Sequence, residues 1–261
     1  MQELLHAHQL VKDFRGNRAV DGVDFALHQG ERLGLLGPNG AGKTTTLFML
    51  LGVIQPDDGW VEIAGHRMPK GRSAAMMNVG FSAGYMPLPD RMRVSELLRM
   101  YGELYGMADP RPQIEAGLER FRIGHLARAM GNELSSGQRT LVGIVKATLH
   151  RPKVLVLDEP TASLDPDVAL QVRAGLAELC GEGRMALLIT SHNMREIESL
   201  CDRVIFLSAG RVVADDAPRA VAEQFGRGDL EGVFLQLAAD KQLAADDLLI
   251  PRSQETDRPS A

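Results

Sequence analysis

The residues whose types and spacing could do chemistry come early in the chain, in the segment GPNGAGKTT at positions 37–45. The segment fits the phosphate-loop pattern of a glycine, four residues, then Gly-Lys-Thr. Because glycine has no Cβ, the backbone can close its N–H groups on an anion, and a helix starting near Lys43 adds the positive end of its dipole. Lys43 can reach the terminal phosphates, and the Thr44 hydroxyl suits Mg²⁺, which prefers oxygen ligands. The residues of this predicted nucleoside triphosphate site are Gly37, Pro38, Asn39, Gly40, Ala41, Gly42, Lys43, Thr44 and Thr45.

Two adjacent carboxylates, Asp158 and Glu159, follow the apolar run VLVL. Ligands of open α/β sheets bind at the carboxyl ends of the strands, where these acids are expected to lie. Neighbouring strand residues point to opposite sides. Asp158 is therefore expected to face a magnesium ion, and Glu159 to face the attacking water as a general base. The alternative is an ordinary strand end with solvated acids, which the phosphate loop disfavours.

Further groups could complete such a site. His192 follows the next apolar strand and could donate a hydrogen bond to the γ-phosphate, although a single histidine is more often structural. Ser135 and Gly137 stand ahead of an amphipathic helix and offer a hydroxyl and a backbone N–H as a second anion site. Two anion sites for one triphosphate suggest that two copies of the chain face each other. Phe14 could stack on an adenine ring or belong to a small β core, and both interpretations stay open.

Composition sets limits on the class of protein. The 261 residues carry a net charge of −5 with a pI of about 5.8, which disfavours a broad nucleic-acid-binding face. The two cysteines, Cys180 and Cys201, have no metal-site spacing, and a disulfide framework is not expected, which fits a reducing cytosol. The chain has no apolar run of membrane-spanning length, and because MQELLHAHQL has no basic region followed by an apolar one, no secretory signal is expected. A role at a membrane would therefore require a partner.

The elements that must position these residues can be predicted from periodicity. Short strands are expected over 3–36, an exposed polar connection over 66–78, and helices over 95–149, with Ser95 capping the first. Apolar strands alternate with helices from residue 30 to residue 205, which predicts an α/β fold. The strand-rich start and the helical insert are expected to be subdomains, and the polar tail after Pro251 is expected to be disordered.

The order of these parts resembles that of the ATP-binding cassette (ABC) ATPases. The segments that carry the resemblance are the loop GPNGAGKTT, the signature LSSGQ at 134–138, VLVLDEP at 154–160, SLD at 163–165 and His192. The resemblance implies an α/β P-loop NTPase (RecA-like) core with an antiparallel β subdomain and an inserted α-helical subdomain over about 85–150. The ATPase domain would span 1–237, and a C-terminal extension over 238–261 would be flexible at its end.

The resemblance also implies cofactors and partners. The chain would bind ATP with Mg²⁺ and hydrolyse ATP, with Glu159 as the base and His192 as the switch histidine. Two chains would form a head-to-tail homodimer, with each ATP between the phosphate loop of one chain and Ser135, Gly137 and Gln138 of the other. Asp165 would lie near the dimer seam, and Phe14 occupies the position of the family's adenine-stacking aromatic.

Two stretches resemble, among the ABC ATPases, those of exporters in particular. Gly84 stands where the family usually has a glutamine that helps to hold Mg²⁺ and water, and VGFSAGYMPLPDRM looks like the corresponding stretch of bacterial sodium-export ATPases. The segment DLEGVFLQL at 229–237 resembles one in two-component exporters, or is simply an amphipathic helix on the core. The expected protein is an exporter ATPase on the cytoplasmic face of the cell membrane, driving a separate transmembrane permease subunit without inserting into the membrane or binding nucleic acid.

Alternatives remain at this point. A soluble ABC ATPase that acts on nucleic acid or ribosomes would share the motifs, and so would a regulator that binds ATP but scarcely hydrolyses it. The apolar loop around Tyr85, Met86 and Leu88 is expected to dock the membrane partner, unless these side chains fold back onto the domain's own core.

Overall fold

The computed structural model describes residues 2–84, 86–162 and 164–249, with the backbone alone over 241–249. Its strands are β1 (Glu3–Phe14), β2 (Asn17–His28), β3 (Arg32–Leu36), β4 (Asp58–Ile63), β5 (His66–Arg67), β6 (Val79–Ala83), β7 (Val154–Asp158), β8 (Ala186–Thr190), β9 (Arg203–Ser208) and β10 (Arg211–Asp216). Its α-helices are α1 (Lys43–Leu50), α2 (Arg72–Met76), α3 (Val94–Leu104), α4 (Arg111–Arg120), α5 (Ser136–Thr148), α6 (Pro166–Gly181), α7 (Met194–Leu200), α8 (Pro218–Gln224) and α9 (Leu230–Leu249). Short 3₁₀ turns lie at Gly124–Leu126 and Gly131–Glu133.

The central sheet has the strand order β10-β9-β3-β8-β7-β6, and it is parallel except that β10 pairs antiparallel with β9. The register aligns the strand ends, since Asp158 pairs with both Ala83 and Thr190. The carboxyl ends of β3, β8, β7 and β6 therefore form one edge. The phosphate loop, His192, the acidic pair and Gly84 all follow these ends directly. This topology confirms the predicted α/β fold.

The second sheet is antiparallel, with the order β2-β1-β4-β5. Its inward positions alternate with polar ones, as Val23, Phe25 and Leu27 of β2 illustrate, because successive side chains of a strand face opposite sides. The strand-rich start of the chain therefore forms a sheet with one buried face, as the period of two predicted.

Two apolar clusters cover the two faces of the central sheet. Leu155 and Leu157 of β7 pack in the cluster shared with α3, α4 and α5, which lie between β6 and β7 in the chain and are called the inserted helices here. Val154 and Val156 pack in the cluster shared with α1 and the antiparallel sheet. Because β7 is buried on both faces, its sequence is a continuous apolar run. The acids at its end are therefore carried by a strand that is packed on both faces.

The inserted helices pack closely on the central sheet. A Cβ at Gly143 of α5 would lie 2.8 Å from the Ser82 hydroxyl, and a Cβ at Gly80 would lie 2.1 Å from the Ala147 carbonyl oxygen. Only glycine allows this approach of α5 to β6. The approach fixes the start of α5, where the segment LSSGQ lies, relative to the sheet.

Some local expectations were wrong. Ser95 does not cap α3, because the helix begins after Arg93, whose backbone N–H donates to Glu96. The segment 66–78, expected to be an exposed connection, contains β5 and α2, and its Ala75 is buried against the core. The domain boundary expected at residue 237 stays a prediction; residue 237 lies within α9, and the tail expected to be disordered lies outside the described residues.

Cys180 and Cys201 are free and buried. Burial raises the pKa of the Cys180 thiol to about 11, and it raises the pKa of Cys201 further. Both thiols are therefore neutral and inert at physiological pH. In the described part of the chain, no helix has the length and apolar character needed to cross a bilayer.

Candidate functional site

The phosphate loop has a conformation that only glycine permits at two points. Gly37 has φ of 141°, and a Cβ there would lie 2.2 Å from the Leu207 carbonyl oxygen. Gly42, with φ of 105°, precedes α1 without a capping side chain, and its Cβ would lie 2.6 Å from the Ala19 carbonyl oxygen. Since no side chain of residue 42 covers the start of α1, its backbone N–H groups are available to an anion.

Lys43 lies folded along the loop that precedes it. Its ammonium donates to the carbonyl oxygens of Gly37, at 2.5 Å, and Pro38, at 3.2 Å. These contacts hold a positive charge inside the turn of the loop, where phosphate oxygens would be received. Thr44 is exposed at the first turn of α1, whereas Thr46 is buried with its hydroxyl oxygen unpaired.

Thr190, which sequence reasoning did not select, bridges the two acids. Its hydroxyl donates to Asp158 Oδ1 at 2.6 Å and accepts from the Glu159 backbone N–H at 3.1 Å. The Glu159 N–H also contacts the Thr190 carbonyl oxygen at 3.1 Å. Thr190 could have been selected from the sequence by its position at the end of an apolar strand, directly ahead of Ser191 and His192.

Glu159 and His192 are brought together by the fold. His192 Nε2 lies 2.7 Å from Glu159 Oε1, and both side chains are only partly buried. Glu159 has φ of 49°, a left-handed conformation that is unusual for a residue with a side chain. The strand ends at Asp158, so Glu159 stands in a backbone turn and not in the strand alternation expected from the sequence.

Glu196 is a second residue that the sequence reasoning missed. It is 1% exposed, and its Oε2 accepts hydrogen bonds from Thr161 at 2.5 Å and Ser191 at 3.1 Å. The carboxylate therefore connects the loop after β7 to the residue preceding His192. The sequence indicates this role of Glu196 only weakly, because a single glutamate in a short polar helix normally lies on a solvent-exposed face.

The C-terminal segment also reaches this edge. The Phe234 ring packs edge-on to the His192 ring, with centroids 6.2 Å apart, and the Leu230 N–H donates to Glu198 at 2.7 Å. Leu230, Val233 and Leu237 are buried. The segment 229–237 is thus an amphipathic helix packed on the core, and one of its aromatic residues contacts the predicted switch histidine.

The signature residues lie at the start of α5. The Ser135 hydroxyl accepts from the Gln138 backbone N–H at 3.3 Å, and Gln138 Oε1 accepts from the Ser135 N–H at 3.0 Å. This capping box leaves the Ser135 hydroxyl hydrogen free to donate. A Cβ at Gly137 would lie 2.8 Å from Val168 of α6, the helix that Asp165 precedes. The signature and Asp165 therefore belong to one packed unit.

Phe14 is 43% exposed at the end of β1, so it is not a core residue. Lys12 Nζ lies 5.6 Å from its ring centroid. Phe14 pairs with Asn17 at the start of β2, and Ala19 of the same strand touches Gly42 of the phosphate loop. Phe14 therefore lies in the same hairpin as a residue that adjoins the phosphate loop.

The loop after β6 is held against the acidic strand. The Gly84 N–H donates to the Asp158 carbonyl oxygen at 3.1 Å, and a Cβ on Gly84 would lie 2.6 Å from the Glu159 carbonyl oxygen.

Farther along, Met86 is 37% exposed, whereas Leu88 is buried among the inserted helices. The expected docking loop is therefore divided between an exposed residue and a core residue, and Tyr85 lies outside the described residues.

Comparisons with known proteins agree with this geometry. The family model described as "ABC transporter" matches residues 20–162, which is more than half of the chain. The Nod factor export ATP-binding protein I of Paraburkholderia xenovorans (strain LB400) is 38% identical over 218 residues, covering 82% of this chain and 71% of the relative. The protein of the same name from Cupriavidus metallidurans (strain CH34) is 32% identical over 259 residues, covering 98% of this chain and 84% of the relative.

Solved structures share the fold. An ATP-binding subunit of an ABC transporter superposes with a TM-score of 0.82 at 28% identity, covering 90% of this chain and 99% of that one. The cbiO1 protein of Clostridium perfringens, described as part of the ABC transporter complex cbiONQ, gives a TM-score of 0.76 at 26% identity, covering 94% of this chain and 100% of that one. The chain therefore belongs to the ABC transporter family and is one of its nucleotide-binding, ATP-hydrolysing subunits.

Proposed function

We propose that this chain powers an ABC-type exporter by binding MgATP, dimerising around it and hydrolysing it. The observation that carries the proposal is the contact of 2.7 Å between Glu159 and His192, at the sheet edge that also bears the phosphate loop. A carboxylate held beside an imidazole can accept a proton from water while the imidazole orients the γ-phosphate. The direction of transport rests on the relatives, which are named for export.

The residues fit the proposed nucleotide and metal. Lys43 and the open start of α1 would hold the phosphates, while the hard oxygens of Thr44 and Asp158 suit Mg²⁺. When bound, Mg²⁺ would neutralise charge that builds up on the phosphate oxygens. The Thr190 hydroxyl fixes the Asp158 carboxylate in place, which favours a pre-organised ligand. Phe14, exposed at the end of β1, would stack on the adenine.

The proposed dimer follows from the placement of the signature. Ser135 keeps a hydroxyl hydrogen to donate, and Gly137 and Gln138 lie at the start of α5, where backbone N–H groups favour an anion. These residues would close on the nucleotide of a second copy, with Asp165 at the seam between the copies. This pairing would give each ATP a complete set of contacts from two chains.

The proposed partner is a separate transmembrane subunit, which would place the chain on the cytoplasmic face of the cell membrane. Support comes from the family itself and from the absence, in the described part of the chain, of a helix that could cross a membrane. The exposed Met86 next to the inserted helices is the proposed contact.

The test is the substitution Glu159→Gln, with Glu119→Gln as a matched control on an exposed face of α4. Loss of the general base should lower turnover by about 10²–10⁴-fold, while ATP affinity is retained. With MgATP, the variant should elute as a stable dimer in size-exclusion chromatography, and the control should hydrolyse ATP normally. Near-normal turnover by Glu159→Gln would remove this residue from the base role.

The rival function, an ABC ATPase acting on nucleic acid, is not favoured by the relatives, which are named for export. It predicts binding to RNA or DNA that weakens steeply with salt, because phosphate contacts release counterions. We expect no such binding by the wild-type protein. A salt-dependent nucleic-acid complex would replace the exporter proposal.

A further inference from the structure

A cluster of two histidines and one carboxylate lies on the antiparallel sheet, apart from the residues assigned to the nucleotide. Its members are His6 and His8 of β1 and Asp24 of β2. Leu5 and Ala7 alternate with the histidines and are fully buried, so the cluster occupies the face of the sheet opposite the core. The three side chains are between 26% and 43% exposed, which leaves them accessible to a solute.

The distances suit a shared ion. His8 Nδ1 lies 2.9 Å from Asp24 Oδ2, and His6 Nε2 lies 3.7 Å from Asp24 Oδ1. One ligand atom from each residue can be chosen so that all lie within 4.8 Å of one another. Ligands at zinc distances in a tetrahedron are about 3.4 Å apart, and the two measured distances, each to a different oxygen of Asp24, lie on either side of this value. Small side-chain adjustments would therefore bring all three onto one ion.

The surrounding residues hold the ligands in the orientation that a metal needs. Glu3 Oε1 lies 3.3 Å from His6 Nδ1, so the Nδ1–H can donate to the carboxylate and leave Nε2 as the ligand atom. This arrangement of carboxylate, histidine and metal is common in protein sites, because it fixes the ring and raises its basicity.

A β-bulge positions the carboxylate. Ala7 pairs with Phe25 and Leu10 pairs with Val23, so two residues of β1, His8 and Gln9, oppose Asp24 alone. Gln9 has φ of 46°, and both its backbone N–H, at 3.1 Å, and its side-chain amide, at 3.0 Å, donate to Asp24 Oδ2. The bulge thus aims His8 at Asp24 and anchors that carboxylate.

We propose that His6, His8 and Asp24 form a second metal site, which binds one divalent transition-metal ion of the zinc class per chain. Two imidazoles and one carboxylate are ligands that Zn²⁺, Co²⁺ and Ni²⁺ prefer, whereas Mg²⁺ favours all-oxygen sites. The fourth position is open to water because the cluster faces solvent. The ion joins β1 to β2 and stabilises the antiparallel sheet.

Trp60 provides a local probe of this site. It is the single tryptophan of the chain, and its ring centroid lies 5.1 Å from that of His6 and 4.9 Å from that of His8. Paramagnetic Co²⁺ bound by the cluster should therefore quench its fluorescence. The nucleotide-free protein would be titrated with Co²⁺ by fluorescence and with Zn²⁺ by calorimetry.

We expect saturable quenching by Co²⁺ and one Zn²⁺ per chain. His8→Gln and Asp24→Asn should each weaken the binding of Co²⁺ and of Zn²⁺ by at least about tenfold. Even the loss of a residue that only hydrogen-bonds to a metal ligand typically lowers metal affinity by that much. His125→Gln, which removes an exposed histidine in the Gly124–Leu126 turn, should change neither. Zn²⁺ should raise the thermal unfolding temperature of the wild type but not of His8→Gln.

Two results would overturn the site. One is the absence of saturable quenching in the wild type. The other is unchanged quenching and Zn²⁺ stoichiometry in the double variant His6→Gln/His8→Gln, which would put the ion elsewhere. Circular dichroism would verify that the variants are folded, as expected for substitutions on a solvent-facing surface.

Discussion

At the scale of single residues, Glu159 follows β7 with a left-handed backbone, at φ of 49°. Its left-handed backbone costs about 1–3 kcal/mol, which the surrounding structure must compensate. Two hydrogen bonds from its N–H to Thr190 hold this conformation, and His192 holds the carboxylate. Because Glu159 and His192 are in contact, we expect the effects of their substitutions on ATP turnover to be non-additive.

Lys43 carries a prediction at the same scale. Its ammonium already lies between two loop carbonyls, so it is pre-positioned for phosphate oxygens. Lys43→Ala should weaken ATP binding by at least about tenfold, since hydrogen bonds to charged groups contribute about 1.5–3 kcal/mol each. Fluorescent-nucleotide titration would measure this, with the exposed Lys153→Ala as the control. Unchanged affinity would exclude Lys43 from the phosphate site.

At the scale of elements, the parallel strands and the loops after them constrain one another. Gly84 connects β6 to the inserted helices, and its N–H is bonded to the strand that bears both acids. The glycine at this position was interpreted from the sequence as the loss of a metal-binding amide. The structure adds a second reason, because the Glu159 carbonyl oxygen occupies the space that a Cβ would need.

Gly84→Gln should therefore do more than add an amide. The new Cβ, 2.6 Å from the Glu159 carbonyl oxygen, must displace the backbone of the proposed base, so turnover should fall several-fold. Steady-state ATPase assays over a range of Mg²⁺ would measure it, and Gly124→Gln, whose Cβ would meet open space, is the matched control. A gain in turnover would show that the backbone adapts and that the amide compensates.

At the scale of the whole molecule, the inserted helices determine which surface a partner can reach. Leu88 belongs to their core, whereas Met86 remains exposed beside them. Of the three apolar residues that the sequence offered for docking, Met86 is accessible, Leu88 is buried, and Tyr85 lies outside the described residues. A substitution at Leu88 would report on folding instead of docking.

Met86→Asp should abolish co-purification with the transmembrane subunit while basal ATPase activity and thermal stability are unchanged. Leu88→Asp should instead destabilise the fold by about 3 kcal/mol or more, because it buries an unpaired charge. Met77→Asp, at another exposed methionine, is the control for a surface charge. If Met86→Asp keeps the partner bound, the docking surface lies elsewhere.

The amino-acid sequence by itself determined the local parts of this protein. The phosphate loop, the acidic strand and the signature are contiguous segments, so their chemistry depends on spacing along the chain. The α/β class followed from apolar runs that alternate with amphipathic helices. The exposed position of Phe14, the cap of α3 and the burial of Leu88 did not follow, because each depends on what packs against the residue.

Only the tertiary structure decided how the distant parts meet. The neighbours in the order β3-β8-β7-β6 come from remote stretches of the chain, and this order brings His192 to Glu159 and Thr190 to Asp158. The contact between Gly84 and Glu159 has the same origin. No local pattern encodes such contacts, because the pairing of parallel strands is set by the burial of both faces of the sheet.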